Sequence, residues 1–323
     1  MTGRPKKAIM PRRHRARAWY SRRLVALSLL LVALSVSVTG LGQKTQPART
    51  GSHPSRGPTL SPTERALLEQ AIGVICMEGK TDARGSIPID DMQSRPSLPL
   101  QTPEAVAGAQ RAQKLLPLAK NLVVNALQQL VIEYGFQNSK AYDLRIQKAI
   151  ARVQSVKRVR PDMESRDNAS VFLSKPHTIT FGTIFLAGLP SDEAMISVLS
   201  HELTHIADGD NDSLRALVHA VAARASSLTG LAIRGQRAEE VTCDLVGAMA
   251  VRAYVADTPN YEPLPRRLAR SLEHNCVDLD EGDEDHLSPR NTIRALLALD
   301  STLVRELIYG REERSPARSS HDQ

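Results

Sequence analysis

The chain has 323 residues and few aromatic side chains, 3% of the total, so its core must be built mainly from Leu, Val, Ile and Ala, as in helical folds. Its net charge of +7 would suit nucleic acid, but residues 1–23 hold nine Lys or Arg and no acid, which leaves 33 basic against 35 acidic side chains elsewhere. Because no basic surface remains for a phosphate backbone, the charge distribution argues against a nucleic-acid partner.

The N-terminal part predicts export from the cytoplasm. Residues 24–42 contain no charge and have about the minimum length of a membrane span, and the basic residues 1–23 before them should stay cytoplasmic. The uncharged run is either a cleaved signal peptide or an uncleaved membrane anchor, and the residues leave both alternatives open. Residues 43–63, rich in Pro, Gly, Ser and Thr, are expected to form a linker.

Residues 64–155 are predicted to be a helical N-terminal part. Apolar periodicity indicates one helix from Pro62 to about Met77, a long one from Pro103 to Tyr134, and a shorter one over 139–155. These helices could pack against the back of a catalytic domain or form a partner-binding arm, and the pattern does not separate the two.

Residues 156–187 no longer show the apolar periodicity of a helix. The segments Val171–Leu173 and Thr178–Leu186 are rich in β-branched and aromatic residues, and turn residues lie between them. They predict a small sheet before the next helix. An edge strand at this position could hold an extended peptide by main-chain hydrogen bonds.

The next segment contains the motif His201-Glu202-Leu203-Thr204-His205. Ser191 is a suitable N-cap for a helix through the motif, and Gly209 suits its C-terminal end. On that helix His201 and His205 lie one turn apart on one face, so both imidazoles can ligate one metal ion. Glu202, beside them, could take a proton from a water that the metal activates.

A second helix is predicted over residues 236–255. Glu240, Asp244 and Gly247 share one of its faces, at positions i, i+4 and i+7. Glu240 could be the third metal ligand, Asp244 could accept the N–H of a ligating imidazole, and Gly247 would let two helices approach closely. Glu239 lies on another side, with Cys243, so Glu240 and not Glu239 is expected to be the ligand and Glu239→Gln is expected to keep both metal and activity, while Cys243 is expected only to pack.

The order H-E-x-x-H, then E-x-x-x-D-x-x-G, resembles the gluzincin peptidases of the HtpX and CAAX-prenyl-protease family, over about residues 165–300. Cys243 stands where that family usually has Ala. The segment that begins at His286 resembles the family's H-P-x-P-x-x-R-I, with Leu287 and Thr292 as departures. The resemblance implies a mainly helical α+β, zincin-like fold with a small sheet before the motif helix, and one zinc ion per chain. It also implies a role for His286 as a donor to the oxyanion of the reaction.

These patterns together predict a zinc endopeptidase that acts on proteins or peptides outside the cytoplasm, with the catalytic region in residues 156–300 and a tail in 301–323. A role in envelope protein quality control would suit this location. The alternative is a membrane-anchored scaffold or chaperone with a degenerate protease site, against which the intact Glu202 argues. Export would also permit a disulfide between Cys76 and Cys276.

Overall fold

A computed structural model describes much of the chain that follows the predicted linker. The described residues are 60–81, 97–166, 168–172, 174–189, 191–209, 213–257, 282, 284–300 and 302, with the backbone alone described in 73–81 and at 289. The uncharged run 24–42, the side chains of Cys76 and Cys276, and the tail from residue 303 lie outside these residues, so the expectations for them stay predictions.

The described part is mainly helical, with one small sheet, which confirms the α+β class. The helices are α1 (Pro62–Thr81), α2 (Pro103–Glu133), α3 (Lys140–Ser155), α4 (Thr183–Gly188), α5 (Asp192–Asp208), α6 (Arg215–Thr229), α7 (Gln236–Asp257) and α8 (Pro289–Leu299). The strands are β1 (Arg158–Asp162), β2 (Ala169–Val171) and β3 (Thr178–Gly182).

The sheet has the strand order β1-β3-β2 and is mixed. β1 runs parallel to the central strand β3, and β2 runs antiparallel to it. The sequence did not predict β1, whose five residues include two Arg, an Asp and Pro161. Proline cannot donate to a ladder, but an edge strand tolerates it, and β1 lies at an edge.

The prediction that the second strand extends to Leu186 is wrong. The strand ends at Gly182, and Thr183–Gly188 form the short helix α4. The backbone N–H groups of Ile184 and Phe185 donate to the carbonyl of Arg166, at 3.0 and 3.2 Å. A carbonyl in a preceding loop therefore accepts from these two N–H groups, and the chain leaves the sheet at this point. Local β propensity could not reveal this contact.

One continuous core joins the N-terminal helices to the region that contains the motif. Buried side chains from Leu68 in α1 to Leu299 in α8 belong to a single cluster. Helix α2 packs against α4, α5 and α7, so it covers the back of the motif helix instead of forming a separate arm. Within the described residues, α2 is also the one helix with the length and hydropathy of a membrane span, but much of it is buried in this core.

Both ends of the motif helix α5 are fixed by specific contacts. Ser191 caps the N-terminus by accepting a hydrogen bond from the N–H of Ala194 at 3.2 Å, as predicted. Gly209 ends the helix with a φ of 62°, a left-handed conformation that favours glycine. Arg152 of α3 donates to the carbonyls of Ala207 and Asp208, at 3.1 and 2.6 Å, and so satisfies carbonyls that lack partners within the helix.

Helices α5 and α7 pack closely beside each other, and Gly247 lies at their contact. A Cβ atom placed on Gly247 would lie 3.1 Å from the carbonyl oxygen of Ser197, which is closer than most Cβ contacts. The absence of a side chain at residue 247 therefore permits the close approach that the sequence predicted.

Candidate metal centre

The two motif histidines point their Nε2 atoms towards the same point. His201 and His205 lie one turn apart on α5, and their Nε2 atoms are 3.1 Å apart. Both side chains are largely buried, with 22% and 16% of their surface exposed. If both Nε2 atoms carried a hydrogen, the two N–H groups would point at each other and clash at this distance. A cation between the two atoms would instead accept both lone pairs.

Glu240 of α7 completes a triangle with these nitrogens. Its Oε2 lies 3.2 Å from Nε2 of His201 and 3.5 Å from Nε2 of His205. Ligands held 2.0–2.1 Å from a tetrahedral ion are about 3.3–3.4 Å apart, so the three atoms have the spacing of a metal site. Gln236 donates to the other carboxylate oxygen, Oε1, at 3.0 Å and thereby orients the group.

The other ring nitrogen of each histidine is held by a carboxylate. Nδ1 of His201 lies 2.8 Å from Oδ1 of Asp244, the partner that the sequence assigned to a ligating imidazole. Nδ1 of His205 lies 2.7 Å from Oε1 of Glu239. Such contacts fix the tautomer that leaves Nε2 free for a metal.

The sequence analysis did not predict this contact of Glu239, because it considered only whether two consecutive acids can ligate one ion from a rigid helix. Glu239 instead reaches the far nitrogen of His205, while Glu240 lies at the near one. A signal for this contact was available, since two ligating imidazoles usually have two outer partners and the sequence analysis had assigned only one, Asp244.

The carboxylates around the pair create a strongly negative environment. Burial lowers the pKa of His201, but the hydrogen bond and charge of Asp244, followed by Glu240, raise it by more, so the net pKa lies well above its ordinary value. Burial raises the pKa of Glu240, yet the hydrogen bonds and charges of the two histidines lower it to a net value below the usual range. The cluster thus favours positive charge at its centre, which suits a metal cation.

Glu202, the motif's acid, is buried next to the pair, with 7% of its surface exposed. Burial raises its pKa, and the charges of His201 and His205 oppose the rise without cancelling it. A carboxylate with a raised pKa is a better proton acceptor at neutral pH than an exposed one.

The structure brings His286 to the rim of the cluster. Its Nε2 lies 3.7 Å from Oε2 of Glu240, and its side chain is 58% exposed. Two other histidines lie apart from the triangle: His219 is exposed on α6, and Nδ1 of His177 is 3.0 Å from the carbonyl of Ser155.

Cys243 lies in this cluster, although the sequence analysis gave it only a packing role. It is a free, buried thiol, and its Sγ and one ring nitrogen from each of His201 and His205 all lie within 4.8 Å of one another. These three residues form a group that could hold a metal ion. Two donor sets therefore share the histidine pair: Oε2 of Glu240 lies 3.2 and 3.5 Å from the two Nε2 atoms, and Sγ of Cys243 lies within 4.8 Å of a ring nitrogen of each histidine.

Comparison with protein-family models, with curated proteins and with solved structures gave no match for this chain.

Proposed function

We propose that the protein is a zinc endopeptidase with a zincin-like catalytic region, similar to the gluzincin family that its motifs resemble. The observation that carries the proposal is the triangle formed by two imidazole Nε2 atoms and Oε2 of Glu240, with edges of 3.1, 3.2 and 3.5 Å. Two nitrogens and one carboxylate oxygen are the protein ligands of many catalytic zinc sites, which keep a fourth position open.

A zinc ion held by these ligands supplies Lewis acidity and lowers the pKa of water at the site. Glu202 accepts a proton from the attacking water and passes it to the leaving amine as the peptide bond breaks. The burial that raises the pKa of Glu202 supports this role. In this proposal His286, whose Nε2 lies 3.7 Å from Oε2 of Glu240, would donate a hydrogen bond to the oxyanion.

The substrate is proposed to be a protein or peptide bound in an extended conformation. Strand β2 (Ala169–Val171) is at an edge of the sheet and contacts the motif helix α5. Its outer edge can accept a further strand through main-chain hydrogen bonds. A peptide bound at this edge would lie beside the helix that carries Glu202 and the two histidines.

The substitution Glu202→Gln tests the mechanism in the purified full-length protein. We expect about one zinc per chain in both wild type and variant, and a loss of casein cleavage by about 10²–10⁴-fold in the variant, the usual contribution of a general base. Glu164→Gln, an exposed acid outside the cluster, serves as the control and should cleave normally.

Three results would count against this mechanism. Cleavage by Glu202→Gln at the wild-type rate would contradict the role of the base. Absence of bound zinc in the wild type would contradict the metal site. A wild type that binds zinc but cleaves nothing would favour the scaffold or chaperone alternative instead.

We further propose that the catalytic region acts outside the cytoplasm, in contact with the membrane if residues 24–42 stay attached. The support is the basic segment 1–23 followed by the uncharged run. Alkaline phosphatase, which is active only after export, should be active when fused after residue 60. An inactive but well-expressed fusion would contradict the proposed location.

A further inference from the structure

We propose that Cys243 is a fourth protein ligand of the metal, so that the substrate-free site is His201, His205, Glu240 and Cys243. The inference rests on the metal site of the proposed function and adds a donor that the motif pattern does not contain. Its basis is the position of the Cys243 Sγ atom, within 4.8 Å of a ring nitrogen of each histidine.

Helix geometry places the two α7 donors on the same side. Glu240 and Cys243 are three residues apart within the helix Gln236–Asp257, so their side chains lie on adjacent parts of one face, which packs against α5. One helix can thus offer a carboxylate and a thiol to an ion held by the histidines of its neighbour.

The distances require only a small adjustment. With zinc–sulfur and zinc–nitrogen bonds of about 2.3 and 2.0–2.1 Å, a tetrahedral ion separates sulfur from nitrogen by about 3.5–3.6 Å. From the 4.8 Å limit, the Sγ atom would therefore have to approach by about 1.3 Å at most. A rotation about the Cα–Cβ bond of Cys243 moves the sulfur by this amount or more.

The surroundings of Cys243 also suit a ligand. The residue is 1% exposed and is not in a disulfide, so the sulfur is shielded from water and available. When the metal binds, the S–H bond breaks, the proton leaves to solvent, and the sulfur lone pair forms the bond to the metal.

A thiolate donor changes which metal the site prefers and how open it is. Sulfur ligands favour zinc over hard cations such as magnesium, calcium and manganese. Four protein donors also close the tetrahedral coordination, as in structural zinc sites. The attacking water of the proposed mechanism would then have to displace the sulfur or enter as a fifth ligand, so Cys243 would hold the substrate-free site in a closed state.

Cobalt substitution tests the proposal without a measurement of activity. Full-length protein loaded with Co²⁺ should show the intense near-ultraviolet charge-transfer absorption of a cobalt–thiolate bond. The double variant Cys76→Ala/Cys276→Ala should keep this band, and Cys243→Ala should lose it while retaining the visible cobalt bands of the remaining ligands. A wild type without the band, or a Cys243→Ala protein that retains it, would overturn the proposal.

X-ray absorption at the zinc edge gives an answer that does not depend on the folding of Cys243→Ala. In the zinc-loaded Cys76→Ala/Cys276→Ala protein we expect one sulfur scatterer at about 2.3 Å. A shell of nitrogen and oxygen alone would overturn the role of Cys243 and leave the zinc peptidase proposal standing. Failure of the full-length wild type to bind zinc would instead overturn both.

Discussion

Substitution of Glu239 is the sharpest test of how the site is held together. Glu239→Gln keeps the size of the side chain but removes the negative charge that lies 2.7 Å from Nδ1 of His205. Asp244 holds His201 at 2.8 Å in the same way, so the two carboxylates should contribute similarly. Loss of such a partner lowers metal affinity by about 10–100-fold, or roughly 1.4–2.7 kcal/mol.

The size of the loss in zinc affinity should depend on the group that replaces the carboxylate of Glu239. Glutamine retains an oxygen that can accept from Nδ1–H, so Glu239→Gln should lie near the lower limit, a loss of about tenfold. Glu239→Ala removes the acceptor and should approach a hundredfold loss. Asp244→Asn should resemble Glu239→Gln, whereas Glu240→Gln, which changes a proposed direct ligand, should weaken binding more than either.

Zinc affinity is measured by competition with a chromophoric chelator on full-length proteins. Asp257→Asn provides the control, because Asp257 is an exposed acid at the end of the same helix. If Glu239→Ala binds zinc as tightly as wild type while Asp244→Asn binds it weakly, the hydrogen bond from His205 to Glu239 has no functional importance and our reasoning is refuted.

Two further substitutions test the packing that supports the site. Arg152→Ala should lower the midpoint of thermal unfolding by several degrees, since charged hydrogen bonds contribute about 1.5–3 kcal/mol and Arg152 makes three, to Ala207, Asp208 and Ser213; an unchanged midpoint would contradict this role. Gly247→Leu should destabilise the fold by about 1–3 kcal/mol through overpacking and should also weaken zinc binding, while Gly247→Ala, the matched control, should do so less because alanine favours the helix. A leucine variant that keeps both wild-type stability and wild-type zinc affinity would show that the close helix contact is unimportant.

The elements that the sequence predicted well are those whose signals are local. The start and end of α5 follow from Ser191 and Gly209, residues within or next to the helix itself. Strand β1 and helix α4 were missed because they depend on distant partners: β1 exists by pairing with β3, and α4 begins where the carbonyl of Arg166 takes up two N–H groups. The contacts of Arg152 span more than fifty residues of chain and have no sequence signature.

In the candidate site, too, contacts that depend on spacing within one helix were predicted, and contacts that depend on the packing of two helices were not. Spacing on single helices was enough to suggest that His201 and His205 converge, and that Glu240 and Asp244 share a face. The contact of Glu239 with His205 and the proximity of Cys243 depend on the rotation of α7 relative to α5. A single sequence does not determine the rotation of either helix, so neither of these contacts was predicted.

The geometry of the triangle shows why a glycine outside the cluster matters to it. The edge between the two histidines is set within α5 by the one-turn spacing of the motif. The other two edges join α5 to Glu240 of α7, so they lengthen whenever the two helices move apart. Gly247 lies two turns from Glu240 on the same face, against the carbonyl of Ser197, and its missing side chain allows the separation at which these edges are 3.2 and 3.5 Å. An increase of about 1 Å in that separation would take the carboxylate beyond the 2.0–2.2 Å reach of a zinc ion bound to both imidazoles, so with the proposed ligands the packing at residue 247 would decide whether Glu240 can bind the metal.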